Sequence, residues 1–461
     1  MELTIFNSLT KSKQVLTPVN NTVNFYFCGP TVYWFQHIGN MRAFYVMDTM
    51  RRAVKYLGYN INHVMNITDV GHMTSDADEG EDKMEVASKR EQKSPAEIAE
   101  FYWNLCKADM LDLNIEMPEH ICPATTVITE IINFVQDILN NGYGYITKNG
   151  VYFDTSKYPN YGKLGGMNQN DKKFGARIEV DDEKRNPADF VLWVKAKDNH
   201  IQKWDSPWGV GYPGWHIECS AIGHKYLGSH IDLHGGGIEH KTVHHENEIA
   251  QNYAKTGCEV VQNWFHLEHL MFDGGKMSKS KGAIYTLSSL KENGYSPMDL
   301  RLFYLSAHYS KPQNFTFEAL NNAKESYNNL KKLILKHKNG TNKIDQSVIN
   351  DYKNKFTGFV ADDVNTPLAL SVVWEALKNN QDSADIYSLI LDFDKFLGLR
   401  LNEIEEEKLE IPENIITIAE ERKTARLNKD YATSDILRDK ISSLGYTILD
   451  KPKNEYEIIK K

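Results

Sequence analysis

The chain contains no segment suited to entering or crossing a membrane. No apolar run approaches the roughly 18 residues that a membrane-spanning helix needs, and the start, from Met1 to Thr4, lacks the basic and apolar stretches of a secretory signal. Cysteine is scarce, with 5 residues scattered among 461, and a chain of this length can build an ordinary core without disulfide staples. These absences predict a cytoplasmic protein with reduced cysteines and no membrane attachment.

The balance of charge does not point to a nucleic-acid partner. The net charge is -9, and the hydrophobic (41%) and charged (25%) fractions are those of an ordinary globular protein. Only the tail leans basic, since residues 421–461 carry ten Lys/Arg against seven Asp/Glu. On charge alone, a solvated helical face explains this excess better than a binding surface does.

Hydrophobic periodicity near the start of the chain predicts a strand, a helix and a second strand. Residues 23–27 alternate in the manner of a strand. From about residue 40, apolar side chains recur along one side of a helix that ends at Gly58. Residues 61–67 then predict another strand. Such a β-α-β unit opens the parallel sheet of many nucleotide-binding domains.

The rest of the chain divides by its patterns into further domains. At roughly 150 residues per domain, the length suggests about three domains. We predict an α/β fold in which residues 1–295 form a Rossmann-type parallel-sheet domain with an insertion at roughly 125–195. Helical periodicity predicts a helical bundle domain at 296–402. After a charged linker, residues 411–461 predict a small α+β module.

A short motif, His-Ile-Gly-Asn at 37–40, lies between the first strand and the first helix. A parallel sheet presents its ligands at this edge. Gly39 lets a nucleotide approach the backbone, and the helix N-terminus favours phosphate oxygens. Taken alone, four residues are explained equally well by a plain turn.

A second motif, Lys-Met-Ser-Lys-Ser at 276–280, follows two glycines. Two lysines and two hydroxyls can clamp a triphosphate, and the glycines permit a moving loop. Taken alone, the stretch is explained equally well by a solvated Lys/Ser loop.

Together, the two motifs resemble those of the class I aminoacyl-tRNA synthetases in their order, placement and separation. In that family both motifs stabilise the charged transition state at the α-phosphate of ATP, which is an electrostatic form of catalysis. The resemblance implies that ATP binds with Mg²⁺, and that Gly39 and Lys279 contact it. The implied catalytic residues are His37, Asn40, Lys276 and Lys279.

Four further stretches resemble the cysteinyl-tRNA synthetases more narrowly. They are Cys-Gly-Pro-Thr-Val-Tyr at 28–33, Gly-Trp-His-Ile-Glu-Cys-Ser at 214–220, His-Gly-Gly-Gly at 234–237 and His-His-Glu-Asn-Glu at 244–248. In that family, two Cys, one His and one Glu hold a zinc ion. Matching the motifs implies one Zn²⁺ per chain, held by Cys28, Cys219, His244 and Glu248.

The chemistry of these four residues is compatible with that role. His244 and Glu248 are four residues apart in a helical pattern, so they share one helix face. Thiolate, imidazole and carboxylate are all ordinary zinc ligands. Each cysteine taken alone would be explained better as a small buried residue.

The resemblance also implies how the amino acid is chosen. The substrate thiolate would add to the zinc, whereas a serine hydroxyl binds zinc poorly, so no editing domain is required. Thr31, Thr68 and Trp215 are implied as pocket residues, although Trp215 is also compatible with a core position. Gly236, in the middle of the glycine triplet, is implied to lie near the adenine or ribose.

The C-terminal module matches the family least closely. The resemblance implies that residues 411–461 bind the anticodon of the tRNA, through the basic region that contains Arg422, Arg426, Asp435 and Arg438. Taken one at a time, each of these residues is explained better by a surface ion pair. The stretch 450–456 lacks the usual Gly-Thr-Trp ending, and two further departures lie at 238–243 and 281–283.

The resemblance therefore implies an enzyme that activates L-cysteine with ATP and transfers it to tRNA(Cys), acting as a monomer. One alternative is a ligase that joins activated cysteine to a non-tRNA amine, which should lack the C-terminal module. A second is a metal-dependent hydrolase, which would not explain the lysine motif at 276–280. A third is a non-catalytic tRNA-binding relative, against which the intact His37, Lys276 and Lys279 argue.

Overall fold

The computed structural model describes residues 1–71, 82–166, 183–272, 285–405, 411–452 and 455–460, together with the backbone of 275–276. It divides into two compact units, Met1–Glu403 and Ile404–Lys461. The predicted boundary between residues 295 and 296 lies inside the first unit. The predicted module at 411–461 lies inside the second.

Strands and helices alternate through most of the first unit. The strands of the described residues are β1 (Thr4–Asn7), β2 (Ser12–Val15), β3 (Thr22–Phe27), β4 (Asn60–Ile67), β5 (His120–Pro123), β6 (Gly144–Ile146), β7 (Gly150–Phe153), β8 (Phe190–Lys195), β9 (Gly211–Pro213), β10 (Ile231–Gly237), β11 (Val261–Leu267), β12 (Leu270–Phe272), β13 (Gly275–Lys276), β14 (Gln313–Phe315), β15 (Tyr446–Asp450) and β16 (Tyr456–Lys460). The α-helices are α1 (Ile38–Tyr56), α2 (Lys83–Glu91), α3 (Pro95–Asp112), α4 (Ile128–Asn140), α5 (Trp215–Leu227), α6 (His244–Thr256), α7 (Leu287–Glu292), α8 (Pro297–Leu305), α9 (Phe317–Lys338), α10 (Gln346–Ala361), α11 (Thr366–Asn379), α12 (Ala384–Leu397), α13 (Glu413–Leu427) and α14 (Tyr431–Ser443). Among these helices, none has both the length and the apolar character of a membrane span.

The centre of the first unit is a five-stranded parallel sheet in the order β11-β10-β3-β4-β5. The predicted β-α-β unit is confirmed as β3, α1 and β4. From β3 the chain moves to one side through β4 and β5, and it later returns to the other side of β3 as β10. The strand order therefore reverses between β3 and β10, which is where open parallel sheets bind ligands.

An antiparallel sheet, β6-β7-β8-β9, forms the insertion. It runs beyond the predicted end at residue 195, because β9 pairs with β8 and brings Pro213 opposite Trp193. The cluster of buried apolar side chains that includes Trp193 also contains residues of α4, α5 and α6. The inserted sheet and the central sheet thus share a core.

The helices from α8 to α12 pack against the central domain through a buried ion pair. Arg301 of α8 is fully buried and donates to the carboxylate of Asp48 on α1, with an Nη2–Oδ2 distance of 2.6 Å. It also donates to the carbonyl oxygens of Leu397 and Leu113, each at 2.8 Å. This network explains why the helical segment and the sheet domain form one compact unit.

The second unit contains α13, α14 and the antiparallel hairpin β15-β16. Its core consists of isoleucines from all four elements together with Ala419. Arg422 is buried and donates to both carboxylate oxygens of Asp450, at 2.7 and 3.0 Å. The hydrogen bond from Arg422 lowers the pKa of Asp450 to about 2. Arg426 and Arg438 contact the same carboxylate, whereas Asp435 is exposed.

Candidate active site and metal centre

A cleft of about 430 Å³ lies at the carboxyl ends of β3 and β10. It is the position that the reversal of strand order predicts for a ligand. Most of the site residues predicted from the sequence line this cleft. They are Cys28, Thr31, His37, Gly39, Asn40, Thr68, Trp215, Cys219 and His244.

Four predicted metal ligands come together at the base of the cleft. Cys28 follows β3, Cys219 lies on α5, and His244 and Glu248 lie one turn apart on α6. All four are buried, and their donor atoms lie within 4.8 Å of one another. His244 Nε2 is 3.1 Å from Glu248 Oε1, which in turn is 4.0 Å from Cys28 Sγ. Because zinc bonds to such donors at about 2.0–2.3 Å, the group can converge on one ion.

A second group of donors shares two members with the first. Cys28 and Glu248 also lie within 4.8 Å of His234 and His245. The Nε2 atom of His245 is 3.3 Å from Cys28 Sγ, and that of His234 is 3.7 Å from Glu248 Oε2. The sequence prediction missed this second set. Two sequence features could have indicated it, namely His234, which directly precedes the glycine triplet, and His245, which directly follows His244.

Hydrogen bonds between buried imidazoles hold these side chains in place. His245 Nδ1 lies 2.9 Å from His266 Nε2, and His266 Nδ1 lies 2.8 Å from the hydroxyl of Ser8. On the other side, the Nδ1 atoms of His216 and His244 are 2.9 Å apart. Burial lowers the pKa of His245 well below its ordinary value, so its ring is neutral and can act as a ligand.

The electrostatics of the first group favour a bound cation. A hydrogen bond from Cys28 and the nearby His244 hold the pKa of Cys219 well below its ordinary value. Burial raises the pKa of Glu248 to about 8. Burial opposes the charge on His244, but Cys219 and Glu248 raise its pKa to about 10. These raised pKa values mean that the site without metal holds protons, which a divalent ion would displace on binding to the same donors, so the donor set fits zinc.

Gly29 brings the ends of β3 and β4 into close contact beside the metal ligands. Its N–H donates to Asn66 Oδ1 at 2.8 Å, and a Cβ at Gly29 would lie 1.7 Å from the backbone oxygen of Asn66. Beyond this point, Thr31 and Thr68 form an isolated parallel bridge. Only glycine therefore fits at this position.

Replacing Gly29 with alanine is expected to lower the free energy of unfolding by about 3 kcal/mol, because the backbone of β4 must move to admit the methyl group. The urea midpoint, followed by tryptophan fluorescence, measures this loss. Gly358→Ala in α10 is the matched control, since a Cβ there meets nothing within 4 Å. It should shift stability by no more than about 1 kcal/mol, in the favourable direction. Equal effects of the two changes would contradict the steric argument.

The motif at 37–40 forms the N-terminal cap of α1. Asn40 N–H donates to His37 Nδ1 at 3.1 Å, and His37 N–H donates to Asn40 Oδ1 at 3.2 Å. This reciprocal arrangement is a capping box. A Cβ at Gly39 would lie 2.9 Å from the ring of His37. The two polar residues are thereby fixed at the positive end of a long helix, which faces the cleft.

Trp215 and one residue of the glycine triplet line the cleft, whereas the middle glycine of the triplet packs against histidines. Trp215 begins α5 and lines the cleft, with its ring centroid 4.6 Å from that of His244. Within the triplet, Gly237 lines the cleft. Gly236 instead lies against imidazoles, since a Cβ there would be 2.7 Å from His240 Nδ1. Its close neighbours are therefore side chains of the histidine cluster.

The altered stretch at 238–243 also reaches the cleft. Glu239 lines it, and its Oε2 atom is 3.5 Å from Nδ1 of His269, which lines the same cleft.

The lysine motif is described only at its first residue. The backbone of Lys276 belongs to β13, which pairs with β12 at Met271. The preceding residue, Leu270, lines the cleft. Lys279 and the departure at 281–283 lie outside the described residues.

Comparisons with known proteins agree with one another. Residues 14–325 match the family model of the class I (C) tRNA synthetase catalytic domain. The chain is 41% identical to a cysteine–tRNA ligase of Treponema denticola over 486 residues, covering 98% of each chain. It is 39% identical to cysteine–tRNA ligase 1 of Burkholderia lata, covering 99% of this chain and 96% of that one.

A solved structure shares the fold at much lower identity. It is the methionyl-tRNA synthetase of Mycobacterium tuberculosis in complex with methionyl-adenylate. The identity is 12% and the TM-score 0.55, over 82% of this chain and 90% of that one. Since the family model matches more than half of the chain and the relatives match nearly all of it, the chain belongs to the cysteine–tRNA ligase family of class I tRNA synthetases.

Proposed function

We propose that the protein activates L-cysteine with ATP and transfers it to tRNA(Cys). In the first step, cysteine and ATP give cysteinyl-adenylate and pyrophosphate. In the second, the terminal ribose of the tRNA attacks the adenylate and releases AMP. One observation carries the proposal: a buried set of thiol, imidazole and carboxylate donors lies in the same cleft as the capped helix end at 37–40.

The residues of the cleft suit the first step. His37 and Asn40 lie at the N-terminus of α1, where the helix dipole and polar hydrogens favour phosphate oxygens. We propose them, with Lys276 and Lys279, as the groups that stabilise charge at the α-phosphate. ATP would bring Mg²⁺. Gly39 and Gly237 let the nucleotide approach the backbone closely.

Cys28, Cys219, His244 and Glu248 would hold Zn²⁺. A bound zinc would supply a soft Lewis acid that accepts a thiolate far more readily than a hydroxyl. Trp215 and Thr68 line the cleft beside these donors. We propose that they enclose the amino acid and exclude water from it.

Pyrophosphate exchange into ATP tests the proposal. We expect exchange to depend on cysteine, with kcat/KM at least about 10⁴-fold higher than with serine, because the site recognises sulfur rather than shape. The measurement uses the full chain, labelled pyrophosphate and either amino acid. Equal exchange with serine would refute selection by the metal, and exchange with neither would refute the function.

The second unit supports tRNA rather than a smaller amine as acceptor. The Treponema relative matches 98% of the chain, which includes this unit. Arg426 and Arg438 also contact Asp450, but 35% and 50% of their side chains are exposed, so phosphates can reach them from the solvent side. Arg422 is held by Asp450 and has a structural role. We propose that this unit contacts the anticodon and that the protein acts as a monomer in the cytoplasm.

A further inference from the structure

A cluster of aromatic side chains lies on the surface next to the cleft. Its members are Trp34 and Phe35, which precede α1, and Phe101 and Tyr102 on α3. We call these four residues the aromatic platform. Phe35 is 44% exposed and Phe101 is 42% exposed, although both are large apolar side chains. A singly exposed apolar residue is ordinary, but these two exposed rings pack on the same tyrosine, and contiguous apolar patches of this kind mark binding sites.

The platform is ordered by contacts among its rings. Tyr102 is 3% exposed and stands at its centre. The ring centroid of Phe35 is 5.2 Å from that of Tyr102, and that of Phe101 is 5.1 Å from it, with interplanar angles of 85° and 81°. Trp34 packs edge-on against Phe35 at 5.5 Å. The buried ring of Tyr102 therefore fixes the positions of the two exposed phenyl rings, which pack edge-on against it.

Cations are interleaved with these rings. The guanidinium carbon of Arg90 lies 4.0 Å from the ring centroid of Trp34, and the ammonium of Lys93 lies 4.7 Å from that of Phe101. Arg90 also donates to the carbonyl of Tyr33 at 3.2 Å and pairs with Glu91 at 2.7 Å. Lys93 is exposed. Exposed rings accompanied by cations are suited to a flexible polyanion that carries flat rings of its own.

The platform is continuous with the cleft. Tyr33 and Gln36, the residues on either side of Trp34 and Phe35, both line the cleft, as does His37. Lys83 lines it too, with its ammonium 5.6 Å from the ring centroid of Tyr33. A flexible polyanion that crosses the platform would thus contact cations and aromatic rings along its whole path to the proposed site of adenylate formation.

We propose that the aromatic platform binds the unpaired 3′-terminal nucleotides of the tRNA by stacking and guides them into the cleft. This inference rests on the proposed function. Nucleobases stack on aromatic faces whatever their sequence, while lysine and arginine attract the phosphates between them. An interface with a second copy of the chain would favour the rings but not the accompanying lysines, which are depleted at such interfaces.

The test compares Phe35→Ala with the wild type in binding to two RNAs. One is the intact tRNA, and the other lacks its unpaired 3′ nucleotides. We expect the Kd for intact tRNA to rise about 10-fold, as for the loss of one stacked base, and the Kd for truncated tRNA to stay unchanged. Phe35→Tyr, which keeps a ring, should bind as the wild type does.

Phe6→Ala is the matched control. Phe6 is 39% exposed, and its hairpin contacts β11, at the edge of the central sheet away from β5. It should bind both RNAs normally. A second arm uses Lys93→Gln, which should reduce the dependence of log Kd on log salt by about 0.7.

Cysteine-dependent pyrophosphate exchange separates this inference from the proposed function. Phe35→Ala should exchange as the wild type does, because tRNA takes no part in that step. Normal exchange together with normal binding of intact tRNA by Phe35→Ala would overturn the platform inference alone. Sedimentation that shows self-association of the wild type but not of Phe35→Ala would also overturn it, in favour of a second copy of the chain. Absence of exchange in the wild type would instead overturn the proposed function.

Discussion

Replacing Cys219 with serine is expected to lower kcat/KM for cysteine in pyrophosphate exchange by at least about 10³-fold, or about 4 kcal/mol. The protein should also retain less than one zinc per chain. The reason lies in the buried position of this side chain between Cys28 and His244, where its pKa lies well below the ordinary value. A serine hydroxyl in the same place holds its proton and is a poor ligand for zinc.

The measurements are zinc content by elemental analysis and exchange at varied cysteine concentration. Cys122→Ser is the matched control, since Cys122 on β5 is equally buried but lies outside both donor groups. It should keep its metal. Retention of full zinc and of activity within tenfold by Cys219→Ser would contradict its assignment as a ligand.

The same experiment can distinguish the two donor groups. Cys219 and His244 belong only to the first, while His234 and His245 belong only to the second. If zinc binds to the first group, His244→Ala should lose the metal. His234→Ala should then reduce zinc affinity by about 10- to 100-fold, because His234 contacts the ligands Cys28 and Glu248 without holding the ion itself. Loss of zinc from His234→Ala alone would assign the ion to the second group.

Replacing Arg301 with alanine is expected to lower the free energy of unfolding by about 4 kcal/mol. The change would leave the buried carboxylate of Asp48 with only one of its two guanidinium partners. Asp48 is fully buried between Arg52 and Arg301, at 2.8 and 2.6 Å. Burial raises its pKa, but the two guanidinium groups outweigh that effect and leave the pKa below its ordinary value. The carbonyl oxygens of Leu397 and Leu113 would also lose a donor.

Tryptophan fluorescence in urea is well suited to this measurement, because all eight tryptophans precede residue 404 and so report on the first unit. Lys55→Ala is the control. Lys55 pairs with Glu116 at 2.6 Å but is 46% exposed, so its loss should cost less than about 1 kcal/mol. A midpoint for Arg301→Ala no lower than that for Lys55→Ala would show that the buried network does not join the bundle to the sheet.

Local patterns were enough to predict the parts of the fold that depend on local chemistry. Alternation at 23–27 and 61–67 identified β3 and β4, and the helical run between them identified α1. The small α+β module predicted at 411–461 corresponds to the two helices and two strands of the second unit. In β3, β4 and α1 the apolar residues recur at the period of a strand or a helix, although all three elements are buried on more than one side.

Features that depend on distant partners could not be predicted in this way. The inserted sheet continues to Pro213 because β9 finds an edge on β8, and no local pattern specifies that pairing. The burial of Arg422 depends on Asp450, which follows it by a whole helix and a strand. Likewise, His234 joins the metal donors only because β10 lies beside β3. The sequence motifs therefore predicted the first group of metal donors, whereas the second group is recognised only from the packing of β10 beside β3.

The capping box at the start of α1 decides which hydrogen the imidazole of His37 can offer. Since its Nδ1 accepts the Asn40 N–H, the neutral ring must carry its proton on Nε2. Asn40 uses only its side-chain oxygen in the cap, so the cap leaves its amide hydrogens unused. The cap thus fixes the tautomer of the neutral imidazole, and under the proposed function both side chains would donate to phosphate oxygens. Asn40 therefore closes the cap with a side chain whose charge does not change with pH.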